Sequence, residues 1–522
     1  MKMRSKYISV AFGSALFLSG SLWSDAADWT EWGGTPAKNM VSDEVGLPVE
    51  MSAGDRIKDS DDIDAATAEN CKWVVKLGSE AYGTATILDG KVIVGTNNES
   101  PRLESVKGDR GIVMCFDEET GDLLWQLSTP KLGAGKVSDW EYLGMCSSAL
   151  QEGKYAYVIT NRGEVVCLDR EGLADGNDGP FVDEAKYKGG GLSGIIDGTA
   201  EEVPLEDLDA DIVWGYDMAT ELGVFPHNVT SSSIVAADGV LYVCTSNGVD
   251  YSHKEIPVPN APCLIALDQE TGELVGEEGS GIGNSILHCN WSSPTFAEGM
   301  VFFGAGDGYL YAYGPKAEPG TGEWEGLDVL PEIWKIDGNP PEYRVDENGE
   351  PIKYATYDGP SEFISTPVYH DGKIYAAIGQ DPEHGEGVGM LACVEAKTGE
   401  TIWEYKDINR TISTPSIWNG LLWIADYSGQ IHCLDANTGE VHWIYDTLSH
   451  IWGSTLVADG KVYIGNEDAE LIILKADKGA EGEAEELGVV QFHSPVFSSA
   501  VAANGVLYVQ TQNHLYAFET KD

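Results

Sequence analysis

Four of the ten histidines, His227, His288, His450 and His493, stand ten to twelve residues ahead of a glycine that precedes an apolar strand. Tyr82, Tyr142, Asn290, Trp291, Glu362, Arg410 and Trp452 lie in the corresponding stretches elsewhere. Imidazoles gathered in one place bind borderline transition cations. Aromatic faces with a few polar groups hold a planar small molecule. The blander alternative is that these side chains serve water and loop backbone at a polar rim. A second donor set, Asp175, Asn177 and Asp178, sits in the insertion 169–211, where oxygen ligands in a turn-rich loop suit calcium. The spacing does not follow an EF-hand, which favours a solvated loop. The nine cysteines are an odd number, so at least one thiol is unpaired. Cys244 and Cys263 flank one hairpin loop and are the pair placed to bridge.

Whether these groups meet depends on the scaffold, and the scaffold is written as a repeat. The pattern is an acidic residue or Asn, then Gly, then a strand, at Gly90, Gly153, Gly239, Gly299, Gly372, Gly420, Gly460 and Gly505. Three residues after each stands Ile93, Ala156, Tyr242, Phe302, Tyr375, Trp423, Tyr463 or Tyr508, and six of these eight are aromatic. Six residues before each glycine stands Thr84, Ser147, Ser233, Ser293, Thr366, Thr414, Ser454 or Ser499, all of them hydroxylic. Each of those follows a small residue, Gly, Ser or Cys. Small hydroxylic residues suit an innermost strand, where sheets converge and backbone groups need partners. Downstream, a strand ends in Thr-Gly at Gly121, Gly272, Gly399 and Gly439, and Trp125, Trp403 and Trp443 follow. Trp214 and Trp334 occupy the same place after insertions. Cys115, Cys167, Cys393 and Cys433 fill a small-residue column that Ala266, Ala312 and Ala517 fill in other units. Four short antiparallel strands per unit make a propeller blade.

Eight units predict an all-β, eight-bladed β-propeller. The last unit lacks its outer strand, which residues 72–77 supply, closing the ring and hiding an edge.

The Ala-Leu-Asp, Thr-Gly and Trp signatures resemble those of the quinoprotein-like propellers with pyrroloquinoline quinone repeats, over roughly residues 70 to 520. That family includes quinone-dependent alcohol and sugar dehydrogenases and the propeller lipoprotein of outer-membrane protein assembly. The resemblance implies the fold and leaves function open. For a dehydrogenase it implies pyrroloquinoline quinone and calcium over the central axis, usually against an adjacent Cys-Cys disulfide and a Trp. No two cysteines here are adjacent and no Cys-x-x-Cys occurs. No calcium ligand or base can be carried over onto a matching motif.

The net charge of −53 argues against nucleic acid or anionic lipid as a partner. Lys2, Arg4 and Lys6 followed by an apolar stretch and Ser24-Asp25-Ala26 read as a signal peptide over 1–26. Residues 27–70 read as an N-terminal extension and 71–522 as the propeller. No transmembrane segment is expected, and the product is placed in the periplasm or outside the cell. The reading of function is a ligand-binding or protein-interaction scaffold without assigned catalysis, its partner an unidentified protein or small molecule. The alternatives are a quinone-dependent dehydrogenase with an atypical site and an outer-membrane assembly factor.

Overall fold

Seven of the eight repeat glycines follow a residue that also has positive φ: Asp89, Asp238, Glu298, Asp371, Asn419, Asp459 and Asn504. Two successive positive φ values make the tight turn whose twist matches a two-residue hairpin. The computed structural model describes residues 27–521 and builds eight blades on these turns. The signal-peptide reading of 1–26 lies outside the described residues. Blade 1 runs Thr86–Leu88, Lys91–Asn97, Arg110–Asp117 and Leu123–Pro130, each strand antiparallel to the last. The other blades repeat this order from the axis outwards. Blade 8 takes Cys71–Lys76 as its outer strand, paired antiparallel with His514–Phe518, so the ring closes as expected.

Blade 2 departs from the repeat by one residue. Its turn is Gly153-Lys154, with Glu152 opposite Tyr155 and Leu150 opposite Tyr157. The aromatic position is therefore Tyr157 and not Ala156, and the inner hydroxyl is Ser148 and not Ser147.

With that correction the hydroxyl column forms a belt around the axis. The backbone N–H groups of Thr84, Ser148 and Ser233 donate to the side-chain oxygens of Ser148, Ser233 and Ser293 in the next blade, at 2.8–3.0 Å. Thr366, Thr414 and Ser454 donate in the same way to Thr414, Ser454 and Ser499, at 2.8–3.1 Å. These strands have no neighbour on their inner edge, so the belt satisfies backbone donors that a sheet edge would leave open.

The outer-strand tryptophans join one blade to the next. Trp403 faces Cys393 across blade 5, and its indole N–H donates to the Ala436 carbonyl of blade 6 at 3.2 Å. Gly439 of the following Thr-Gly turn has φ +72, and a Cβ there would lie 2.7 Å from the Trp403 ring. Trp73 of the closing strand does the same toward Glu118 of blade 1, at 2.9 Å. All nine cysteines, Cys244 and Cys263 among them, are buried free thiols.

The segment ahead of the closing strand crosses one end of the axis and touches every blade. Carbonyls of Trp29, Thr30, Pro36, Ala37 and Met40 accept N–H groups from the innermost strands of blades 1, 2, 4, 5 and 7, at 2.7–3.0 Å. Lys38, Asn39 and Ser42 reach Ile234, Ile417 and Ala502 of blades 3, 6 and 8 through their side chains. Val41–Ser42 also pairs parallel with the innermost strand of blade 7.

The insertions are more ordered than turn-rich composition suggests. Within 169–211 lies a helix, Glu184–Ile196, whose Tyr187 and Leu192 pack on the apolar core of blades 1 and 2. Its glycines are needed for proximity: a Cβ on Gly189 would meet the Glu201 carbonyl at 1.7 Å. Within 315–331, Asp328–Leu330 adds a parallel strand to the outer edge of blade 3. No helix among the described residues is long and apolar enough to cross a membrane.

Candidate functional site

The axis is an open funnel of about 450 Å³, floored by the crossing segment. Its throat is the hydroxyl belt, with Thr84, Ser148, Ser233, Ser293, Thr366 and Thr414 all contributing surface. Above the belt stand Tyr82, Trp140, Trp291, Trp452 and Phe497, and Trp32 rises from the crossing segment. Tyr82 stacks on Phe497 at 5.6 Å between centroids, and Trp452 lies 5.1 Å from Phe497. Three of the four indole N–H groups are tethered: Trp32 donates to Thr366 Oγ1 and Trp291 to the Val229 carbonyl, both at 2.9 Å. Trp452 donates to Glu467. Tethered rings keep their faces toward the cavity, so a ligand meets an ordered apolar wall. The charged lining residues are Asp381 and Glu383, and none is Lys, Arg or His. This donor set suits a neutral or cationic guest. It does not suit pyrroloquinoline quinone, a tricarboxylate, whose charges would meet carboxylates and no cation.

Beside the funnel, behind Trp291, four imidazoles converge. His227 and His288 precede the innermost strands of blades 3 and 4, while His253 and His384 come from loops of blades 3 and 5. Ring centroids of His288 lie 4.4, 5.0 and 5.2 Å from those of His227, His253 and His384. His288 is 5.1 Å from Trp291 and 5.4 Å from Tyr354. Tyr354 in turn donates to Glu362 at 3.0 Å. Burial holds His227 down to about 3, and His288 and His384 down to about 4, so all three are neutral imidazoles at neutral pH. Burial also pushes the Glu362 carboxyl well above the usual carboxylate range.

Several residues selected from the sequence therefore come together, and others do not. Tyr82, Trp291 and Trp452 line the funnel, and His227 and His288 form the heart of the imidazole group. Glu362 is wholly buried, accepting from the Cys289 N–H at 3.2 Å. Asn290 is structural, donating to the Asn247 carbonyl and accepting from the Gly306 N–H, both at 2.8 Å. Arg410 is buried against the carbonyls of Thr356 and Tyr357. His450 stacks on Tyr427 at 4.4 Å between Glu386 and Glu467. Tyr142 is half exposed at the rim. His493 faces the N-terminal segment, bonding the Gly54 carbonyl at 2.7 Å. Asp175, Asn177 and Asp178 are exposed on the approach to the 184–196 helix, and Asp178 uses its N–H on Asp211. His253, His384, Trp32, Trp140 and Phe497 escape the sequence reading. The first two sit in loops of unequal length, and Trp32 lies outside the repeat altogether.

Comparison with known proteins places this geometry. A family model described as outer membrane protein assembly factor BamB matches residues 387–522. No curated protein matches the chain. Among solved structures, a europium-containing methanol dehydrogenase is similar at TM-score 0.59 and 10% identity, covering 95% of this chain and 98% of its own. BamB from Moraxella catarrhalis is similar at TM-score 0.54 and 13% identity, covering 86% and 99%. The quinohemoprotein alcohol dehydrogenase ADHIIG from Pseudomonas putida HK5 is similar at TM-score 0.55 and 12% identity, covering 95% and 81%. Identities this low carry the fold and no activity. With its blade signatures repeated around a closed ring and a family model matching its last blades, the chain is an eight-bladed β-propeller similar in fold to the quinoprotein-like, pyrroloquinoline quinone repeat propellers.

Proposed function

We propose that this protein is an exported propeller that binds a small neutral or cationic molecule with an aromatic or apolar face in its axial funnel. The observation that carries the reading is the funnel itself: five aromatic side chains above a hydroxyl belt, Trp32 at its floor, and only acidic charge in its lining. Aromatic faces attract cations by about 2 kcal/mol once both are desolvated, and Asp381 and Glu383 add attraction of the same sign. The whole chain, at −53, concentrates cations at its surface. An extracytoplasmic location fits the basic, apolar and small-residue order of the first 26 residues.

The test is tryptophan fluorescence of the purified protein, titrated with aromatic and quaternary ammonium cations, neutral aromatics, and pyrroloquinoline quinone with calcium. Saturable quenching is expected from a cationic or neutral aromatic, and Trp452→Ala weakens it about tenfold or more. Tight quinone binding accompanied by dye-linked oxidation of an alcohol would replace this reading with the dehydrogenase one. A flat response to every probe would sink both.

Docking to a protein is a second reading, favoured by the match to the assembly-factor family over 387–522. Tyr142, Tyr251, Tyr357 and Leu448 stand exposed on loops around the funnel mouth. If this face docks an outer-membrane protein, Tyr251→Asp with Leu448→Asp abolishes its recovery with the tagged chain and leaves funnel quenching unchanged. Equal recovery by the double variant would rule this face out.

A further inference from the structure

We propose that His227, His253 and His288, with His384 at their side, form a binding site for one borderline divalent transition cation such as Zn²⁺ or Cu²⁺. The inference is independent of whether the funnel holds an organic ligand. One ring nitrogen from each of the three histidines can be chosen so that all lie within 4.8 Å of one another, and this is the one such His, Cys, Asp or Glu grouping among the described residues. Four nitrogens about a zinc ion at bonds of roughly 2.0–2.1 Å stand about 3.3 Å apart. Closing that gap asks for a shift of about 1 Å by the side chains, and His253 rides on an exposed loop able to supply it.

Two further observations point to a ligand. His227 and His288 are fully buried, yet His227 Nε2 and both ring nitrogens of His288 have no hydrogen-bond partner. His384 Nδ1 is likewise buried and unpartnered. Buried polar atoms without partners are costly and rare, and four on facing imidazoles share one economical explanation. The second observation is a fixed tautomer. His227 Nδ1 lies 2.6 Å from the Val249 carbonyl, which only accepts, so Nδ1 carries the proton and Nε2 presents its lone pair to the group. Orientation of a ligating imidazole by a backbone carbonyl is the usual outer-shell arrangement. Glu362 Oε1, 3.7 Å from His288 Nδ1, stands where it can accept from that nitrogen and turn Nε2 toward the metal.

The donor chemistry sets the class of ion. Imidazoles without a first-layer carboxylate favour zinc, copper or nickel over calcium or magnesium. His253 also takes a positive φ of 55°, a conformation few non-glycine residues adopt. It lies in the loop between Val240–Cys244 and Leu264–Asp268, and its ring is 4.9 Å from that of His227.

The experiment strips the purified chain with a chelator and titrates it separately with Zn²⁺, Cu²⁺ and Ca²⁺ by calorimetry, with electron paramagnetic resonance of the copper form. The expected result is one Zn²⁺ or Cu²⁺ per chain, nitrogen hyperfine structure in the copper spectrum, and no displacement by Ca²⁺. His253→Ala changes a loop side chain outside the core, so its metal-free melting temperature matches the parent, while metal affinity falls about tenfold or more. His288→Gln removes binding. The proposal is overturned if neither ion binds one per chain, if His253→Ala and His288→Gln bind as tightly as the parent, or if the copper spectrum shows oxygen ligands alone.

Discussion

Replacing Lys38 by alanine lowers the unfolding free energy by about 3–5 kcal/mol. Lys38 is wholly buried beneath the funnel, and its ammonium is paired with the nearly buried carboxylate of Glu31 seven residues earlier. The same ammonium lies 3.4 Å from the Ile234 carbonyl of blade 3. Burial pushes both partners toward their neutral forms, Lys38 down and Glu31 up, and each offsets the other's desolvation. Without Lys38, Glu31 remains buried with no counter-charge and with Glu152 adding repulsion. Replacing both, Lys38→Met with Glu31→Leu, leaves stability within about 1 kcal/mol of the parent or raises it, because no unpaired charge remains. Urea unfolding of the three proteins is the measurement, and a single variant as stable as the parent would show that the pair does not hold the crossing segment. The pair also bears on the site, since the segment it anchors carries Trp32 at the funnel floor. Ligand quenching is therefore expected to weaken in Lys38→Ala and to recover in the double variant.

Much of this architecture is legible in the sequence because a closed ring imposes the same demands eight times. A tight hairpin turn demands Asp-Gly or Asn-Gly, an edge facing the axis demands a hydroxyl, and a blade junction demands a tryptophan against glycine. The one-residue slip at blade 2 is hidden because Gly153 fits the column by type, although it occupies the first turn position where the other glycines occupy the second. Groups used only once have no such repetition to reveal them. Glu31 and Lys38 belong to a segment without repeats. His253 and His384 reach the imidazole group from loops whose lengths differ between blades, so spacing from a turn glycine says nothing of where they point. The histidines that precede an innermost strand were placed by the repeat itself, which is why His227 and His288 stand out and their two companions do not.

The fold and the site also differ in how polar groups are treated. Around the belt, six hydroxyls each accept a backbone N–H from the preceding blade, as a stable scaffold requires. At the imidazole group the accounting is left open: His227 Nδ1 is satisfied and Nε2 is not, and neither ring nitrogen of His288 has a partner. Single buried atoms without partners occur elsewhere in the interior, but four of them on facing imidazoles mark function more sharply than any single residue type.

Changing Glu278 to glutamine stabilises the protein at pH 8 by about 4 kcal/mol and has little effect at pH 4. Glu278 ends the fourth strand of blade 3, almost wholly buried, and burial pushes its carboxyl up to about 8. One carboxylate oxygen accepts the N–H groups of Ser280 and Gly281 at 2.7 and 3.0 Å, which limits the rise without cancelling it. The unfolded chain titrates this group near 4.3, so the folded state holds the proton more tightly. The stability it contributes is complete below about pH 4 and is lost as the pH rises through about 8. Glutamine keeps the oxygen that accepts from Ser280 and Gly281 and cannot ionise, so it copies the protonated acid at every pH except at the long 3.4 Å contact from the Cys263 N–H, which its NH2 cannot accept. Burial lowers His227, His288, His384 and His514, and these groups change stability in the opposite sense, gaining it as pH rises through their unfolded value near 6.5. Their contribution is common to both proteins and cancels in the difference. Urea midpoints of parent and Glu278→Gln, taken from pH 4 to 8, are therefore expected to diverge steadily in favour of glutamine. Parallel curves would mean that Glu278 stays ionised in the folded protein, held by the Ser280 and Gly281 N–H groups strongly enough to offset its burial.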